Sequence, residues 1–199
     1  MKRNLAMLGI AAVLVILILC FSDIQSVDEY YLMHMEDITE DSETVTISIV
    51  CNTLLEEGNW NKLDNQLQST KYVPEDGMIL KETTYVLRSG DTVYDILNRV
   101  CRYNKIQMEY VGSADTAYSA TYIRGINYLY EFSCGPLSGW MYRVNGEYPG
   151  VGCADYELKD NDRIEWIYSC ELGRDVGDTY ESEPEDSVDE SYGNISDGR

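Results

Sequence analysis

The segment of residues 135–170 constrains the fold more than any other part of the chain. Residues 139–144 form a run with large side chains, typical of a short strand. The following Asn145-Gly146 pair is a strong hairpin signal, because both residues tolerate a positive φ. Asn161-Asp162 indicates a second turn, and residues 163–168 alternate like a half-buried strand. The segment therefore predicts a compact β unit.

Upstream of this unit, the pattern predicts two strands and one helix. Residues 44–51 alternate with a period of two, and residues 83–88 indicate another strand. The helix runs from Thr92 to about Tyr103, with Asp95 at capping-box spacing from Thr92 and Asn104 as a left-handed stop. Its apolar residues follow the i, i+3, i+4 pattern of a single stripe. They are Val93, Ile96, Leu97, Val100 and Cys101.

The order of these elements predicts an α+β fold. Residues 106–111 and 128–132 are further strand candidates, separated by a small, polar loop at residues 112–120, whereas residues 52–78 show turns but no clear element. One main helix packed across a mixed or antiparallel sheet makes the β-grasp the natural candidate. In that topology the first and last strands lie side by side and parallel at the centre of the sheet.

The N-terminus predicts export. Lys2 and Arg3 precede an uncharged run at residues 5–21, which fits a secretory signal peptide or an uncleaved signal anchor. We prefer the anchor, with its basic side inside, which puts the domain outside a cell membrane crossed once, and secretion is the alternative. The predicted divisions are an anchor or signal peptide at 1–22, an acidic stalk at 23–43, a β-grasp domain at 44–173 and a disordered acidic tail at 174–199.

Charge and composition exclude several function classes. The formal net charge of −20 argues against nucleic acid and against anionic lipid surfaces as partners, and favours solubility. His34 is the only histidine, and no Cys-x-x-Cys occurs. We therefore expect no zinc site of the usual spacing, no histidine-dependent catalysis and no required cofactor.

The six cysteines fit an oxidising location. With Cys20 set aside, five remain, so at least one is unpaired or pairs between chains. Parallel central strands would bring Cys51 near Cys170, while Cys134 and Cys153 flank the hairpin. These two bridges would leave Cys101 free, although fifteen patterns with two bridges remain open.

Three blocks in the second half of the chain carry a family resemblance. Residues 139–146 hold a Trp-containing strand and its turn, residues 150–156 a Gly-rich loop ending in Ala-Asp-Tyr, and residues 158–165 a polar turn and an apolar strand. Together they resemble the C-terminal domain of the transcobalamin and intrinsic factor family, most closely its bacterial exported relatives grouped as a domain of unknown function. Residues 44–51 and 89–95 extend the resemblance, which covers roughly 44–173.

The resemblance implies a β-grasp-like domain that in the vitamin carriers closes over one face of cobalamin. The chain has no large helical domain of the kind that holds the rest of the ligand there. The residues at the matching positions are Trp140, Tyr142, Gly150, Val151, Gly152, Ala154 and Tyr156. Each also has a purely structural interpretation, as core aromatics or turn glycines.

Three functions are compatible with these observations. The first is a non-enzymatic binding module for a corrinoid or another planar, amphipathic ligand. The second is a structural module that binds a surface protein or a cell-wall polymer through an edge strand. The third is a glycoside-cleaving enzyme using Asp155, Asp160 and Asp162, which we disfavour because turn aspartates commonly serve local hydrogen bonds. No residue is predicted to be catalytic or to bind a metal.

Overall fold

The computed structural model describes residues 26–112 and 121–178, and these form an α+β domain, as predicted. The helices are α1 (Val27–Met33) and α2 (Val93–Tyr103). The strands are β1 (Thr44–Val50), β2 (Met78–Val86), β3 (Met108–Val111), β4 (Tyr122–Ile126), β5 (Leu129–Tyr130), β6 (Gly139–Val144) and β7 (Arg163–Ser169). Short 3₁₀ helices span Asn52–Leu55, Trp60–Lys62 and Arg174–Val176.

Two sheets contribute to one hydrophobic core. The larger sheet has the strand order β2-β1-β7-β6, and the smaller one has the order β3-β4-β5. β1 and β7 are parallel, with Ile47 opposite Ile164, while both outer pairs are antiparallel, so the larger sheet is mixed. The first and last strands are therefore neighbours at its centre, as expected, and β6 lies at one edge.

Helix α2 follows its sequence pattern closely. All five residues of the predicted stripe are buried, and the Thr92–Asp95 capping box forms in both directions. The left-handed residue after the helix is Lys105, with φ 57°, whereas Asn104 has φ −85°. Asn104 instead donates its side-chain amide to the carbonyl of Val100 at 3.0 Å, so it caps the helix with a negative φ.

Replacing Thr92 by alanine is expected to lower the free energy of unfolding by about 1 kcal/mol, because the cap hydroxyl is lost. That hydroxyl accepts the Asp95 N–H and donates to the Asp95 carboxylate. Urea unfolding of the variant measures the loss, with Thr70→Ala as the control, since Thr70 is exposed and outside the helices. An equal loss in both variants would contradict the capping role.

Residues 26–43 pack on the domain, unlike the stalk expected there. Met35 is fully buried in the core, and its carbonyl accepts the N–H of Val86 in β2 at 2.9 Å. The guanidinium of Arg88 lies 3.6 Å from the centre of the Tyr31 ring. The predicted anchor at 1–22 lies outside the described residues, and within 26–112 and 121–178 no helix has the length and apolarity to cross a bilayer.

The C-terminal boundary also differs from the predicted one. The carboxylate of Asp175 accepts the hydroxyl of Ser169 at 2.5 Å and the N–H of Cys170 at 2.7 Å. These bonds hold the Arg174–Val176 turn against the end of β7, so the packed domain continues beyond residue 173. Residues 179–199 of the predicted tail and residues 113–120 of the predicted loop lie outside the described part of the chain.

Candidate functional site

A concavity of about 390 Å³ opens along the outer edge of β6. Four of the seven predicted ligand residues line it: Trp140, Tyr142, Gly150 and Val151. Met141, Tyr148, Pro149 and Asp178 complete the lining. The volume falls within the range of small-molecule sites, and most of the lining side chains are apolar or aromatic.

Tyr142 fixes the wall of this concavity. Its hydroxyl donates to the carbonyl of Val151 at 2.7 Å, and its ring centre lies 5.4 Å from that of Trp166. Burial raises the pKa of the Tyr142 hydroxyl, so it remains a neutral donor at physiological pH. The bond ties the loop after the hairpin to β6, while the Val151 side chain itself stays 50 % exposed.

Trp140 belongs mainly to the core. Its side chain is 6 % exposed, and the indole Nε1–H donates to the carbonyl of Leu129 at 2.7 Å. The ring meets Tyr168 edge to face, with 5.3 Å between centroids. Trp140 therefore supports the floor of the concavity and offers no free ring face to a ligand.

The structure does not bring Gly152, Ala154 or Tyr156 to the concavity. Their loop instead covers the N-terminus of α2, where the carbonyls of Cys153 and Tyr156 accept the first N–H groups of the helix at 2.9 and 3.1 Å. These two bonds satisfy donors that a helix leaves unpaired at its start. The Ala-Asp-Tyr part of the resemblance thus has a local structural explanation.

Sequence reasoning missed Tyr148, whose hydroxyl donates to the carbonyl of Val176 at 2.9 Å. Its position two residues after the Asn-Gly turn could have indicated that it lies beside the hairpin. Asp178 carried no such signal, because it comes from the segment predicted to be a tail.

The aspartates considered for catalysis are mostly engaged in turns. Asp160 accepts the N–H of Thr44 at 2.8 Å, and the buried Asp162 accepts the N–H of Lys159 at 2.8 Å. Asp155 is exposed in the loop over α2. These contacts agree with the structural interpretation of turn aspartates.

The described cysteines are all buried free thiols, and neither expected bridge is formed. In the parallel β1–β7 pair, Val50 lies opposite Ile167. The residues that follow them, Cys51 and Tyr168, are therefore level with each other. Cys170 lies two residues beyond that level, about 7 Å along the strand direction. Cys170 contacts Cys134 instead, with 3.2 Å between the sulfur atoms.

Cys153 has different surroundings from those expected for a partner of Cys134. Its sulfur lies 3.6 Å from the carbonyl of Thr121, whereas the sulfur of Cys134 lies 3.5 Å from the carbonyl of Asn59. The sulfur positions therefore favour a pairing different from both predicted bridges.

A second concavity, of about 350 Å³, lies beside the carboxyl end of β1. Its charged residues are largely paired within the domain, since Arg143 contacts Glu165 at 2.7 Å and Asp175 is bound to Ser169 and Cys170. Within the described ranges, no group of three or more His, Cys, Asp or Glu side chains is placed to hold a metal ion. The β6-edge concavity is the stronger candidate, because its aromatic and apolar walls remain open.

The family model of a domain of unknown function, DUF4430, matches residues 90–169. This segment contains α2, β3–β7 and most of the β6-edge concavity. The predicted family resemblance is confirmed. The DUF4430 segment, residues 90–169, excludes β1 and β2, which complete the larger sheet. No curated protein matches the chain in sequence.

Two solved structures are similar to this protein. Haptocorrin in complex with Cbi is 15 % identical with a TM-score of 0.44, and the match covers 68 % of this chain and 27 % of the haptocorrin chain. A protein from Ruminococcus gnavus ATCC 29149, named for suspected metal binding, is 10 % identical with a TM-score of 0.36, covering 64 % of this chain and 96 % of that one. This chain thus spans about a quarter of the haptocorrin chain.

Proposed function

We propose that the protein is an exported, membrane-tethered, non-enzymatic binding module with a β-grasp-like domain. Its ligand is a planar, amphipathic molecule of the corrinoid class, or another planar molecule of similar chemistry, held in the β6-edge concavity. The observation that carries this proposal is the convergence of Tyr142, Tyr148 and Val151 on one open, largely apolar hollow. The parallel β1–β7 pair at the centre of the larger sheet supports the β-grasp assignment.

The walls suit a flat ligand that has polar groups at its rim. Rigid aromatic and proline side chains offer apolar area at a small cost in conformational entropy. Tyr148 is held by its bond to the carbonyl of Val176, so this wall is set before a ligand arrives. Preorganisation of this kind lowers the cost of binding.

The size of the concavity limits how the ligand is held. A corrin macrocycle with its side chains is larger than 390 Å³, so the domain would cover one edge of it. Tight binding needs most of the ligand surface enclosed. We therefore propose a weak, micromolar-to-millimolar interaction of the isolated chain, with a second protein surface enclosing the remainder.

Titration of the purified full-length chain with cobalamins tests the proposal. We expect saturable binding in calorimetry and a change in tryptophan emission, since Trp140 lies in the floor of the concavity. Val151→Glu should weaken binding at least tenfold, because it puts a charge on an apolar wall. Val27→Glu is the matched control, because Val27 is 67 % exposed on α1 and lies outside the lining.

Absence of heat and of any emission change at millimolar cobalamin would contradict a corrinoid ligand. Equal weakening by the two Val→Glu variants would instead contradict the β6-edge concavity as the site.

The alternative function is a structural module that binds a surface protein or a cell-wall polymer. It is favoured by the position of β6 at the edge of the larger sheet, where a further strand can pair. A photo-crosslinking residue at position 151, compared with one at position 27, tests this on intact cells. Crosslinks to a protein or glycan from position 151 alone would support the alternative, and no crosslinks from either position would count against it.

A further inference from the structure

We propose that Cys134 and Cys170 become joined by a disulfide when the chain meets an exchangeable disulfide, such as that of a thiol–disulfide oxidoreductase or glutathione disulfide. Their sulfur atoms lie 3.2 Å apart, and both residues are buried. Bond formation needs an approach of about 1 Å, which side-chain rotation can supply. This pairing uses one cysteine from each of the two bridges that the sequence had suggested, and it excludes both of them.

The backbone holds both cysteines in place. The N–H of Cys134 donates to the hydroxyl of Ser138 at 3.0 Å, and the N–H of Cys170 donates to the carboxylate of Asp175 at 2.7 Å. Ser138 in turn accepts the hydroxyl of Tyr168 at 3.1 Å, on the strand that leads to Cys170. Hydrogen bonds thus link the two cysteine-bearing segments around the sulfur contact, so the backbone positions of both cysteines are held on either side of it.

Cys51, Cys101 and Cys153, the other described cysteines, lack such an arrangement. In the part of the chain that the structure describes, the Cys134–Cys170 contact is the only hydrogen bond between two sulfur atoms. Burial raises the pKa of the thiols of Cys51, Cys101 and Cys153 to about 12 and also raises that of Cys170, so it is the sulfur contact between Cys134 and Cys170 that sets this pair apart. Three thiols should therefore remain reduced beside the bridge.

The chemistry is an ordinary exchange. The thiolate of one cysteine attacks the oxidant's disulfide and releases its thiol, forming a mixed disulfide. The second cysteine then attacks the protein-bound sulfur, so that one S–S bond forms in the protein. In total two protein thiols are oxidised, and the oxidant's disulfide takes up the two electrons and two protons to become two thiols.

Burial and the hydrogen bond to Cys134 raise the pKa of the Cys170 thiol in the folded domain. The reactive thiolate is therefore scarce once the domain has folded. The bond should form fastest while the chain is still folding, and only slowly when folded, reduced protein is exposed to oxidant. The product closes residues 134–170, a loop that contains β6 and most of the concavity lining.

Peptide mapping and melting of the full-length chain test the bridge. Refolding with a glutathione redox pair should give a peptide that joins Cys134 to Cys170, and a Tm about 10 °C above that in dithiothreitol, the stabilisation expected from closing such a loop. Cys134→Ser and Cys170→Ser should each abolish the response of Tm to dithiothreitol. Cys101→Ser, the control on α2, should retain that response even if its baseline Tm falls.

Two results would overturn the proposal. One is a mapped bridge that joins Cys134 or Cys170 to any other cysteine. The other is recovery of both residues as free thiols after oxidative refolding, with the same Tm in oxidant and reductant. Because the experiment supplies the oxidant in vitro, either result is independent of whether the protein is exported or binds a corrinoid.

Discussion

Replacing Trp166 by alanine is expected to lower the free energy of unfolding by about 3–5 kcal/mol, a large share of the total for a domain of this size. Trp166 is 1 % exposed in β7, opposite Ile49 of β1 and Tyr142 of β6. The indole packs in the core against the ring of Tyr142, with 5.4 Å between ring centres, so its removal leaves a cavity there. Urea unfolding followed by far-UV circular dichroism measures the loss without relying on tryptophan emission.

The phenylalanine variants of the two buried tryptophans separate packing from hydrogen bonding. Among the described residues the indole N–H of Trp166 has no hydrogen-bond partner, whereas that of Trp140 donates to Leu129. Trp166→Phe should therefore cost about 1–2 kcal/mol through lost volume alone. Trp140→Phe should cost roughly 1–3 kcal/mol more, because the buried hydrogen bond to the carbonyl of Leu129 is lost as well. Equal losses in the two variants would contradict the assigned hydrogen bonding.

Asp91→Ala is expected to destabilise the domain by about 3 kcal/mol, since it leaves a largely buried guanidinium without its partner. The carboxylate of Asp91 accepts both Nη1–H and Nη2–H of Arg99, the first at 2.9 Å, and also the backbone N–H of Arg88 at 2.8 Å. Only 9 % of the Asp91 side chain and 15 % of the Arg99 side chain are exposed. Solvent therefore replaces little of the lost interaction.

The double variant Asp91→Ala, Arg99→Met should recover more than half of that loss in the same urea experiment. It removes the orphaned charge and keeps the apolar part of the side chain on α2. Arg124→Ala is the surface control, because Arg124 and Glu109 are each nearly half exposed, and it should have little measurable effect. If the double variant were as unstable as Asp91→Ala alone, the unpaired arginine would not be the cause.

The elements predicted most accurately are those whose signal is local. Strand β6 was predicted residue by residue, because the Asn145-Gly146 turn after it requires positive φ at both positions, and the structure has 54° and 87° there. Helix α2 was predicted with its cap, because the capping box and the apolar stripe both lie within one short stretch of sequence. Local chemistry of this kind does not depend on the rest of the fold.

Other elements depend on contacts that a single sequence does not reveal. Strand β4 was missed, since Gly125 weakens its strand signal. The structure explains this glycine, because a Cβ at that position would lie 2.6 Å from the ring of Tyr130 on the paired strand β5. Strand β2 begins at Met78, five residues before the predicted start, because pairing with β1 extends it across register shifts.

The hairpin turn also explains which of the proposed ligand residues lie together in the concavity. Residues near the hairpin, such as Tyr142 and Val151, converge because the turn folds the chain back on β6. Tyrosine is a residue type common in binding sites, but the backbone carbonyl of Tyr156 accepts an N–H group at the start of α2. Asp178 reaches the concavity only through the turn held by Asp175, which is a tertiary contact.

The burial of Met35 determines where the smallest autonomous fragment can begin. A fragment that started at residue 44, the first residue of β1, would lack this side chain and leave a void against the core. It would also leave the N–H of Val86 without its acceptor. Fragments meant for ligand screening should therefore start before α1, at or upstream of Ser26, the residue that caps it.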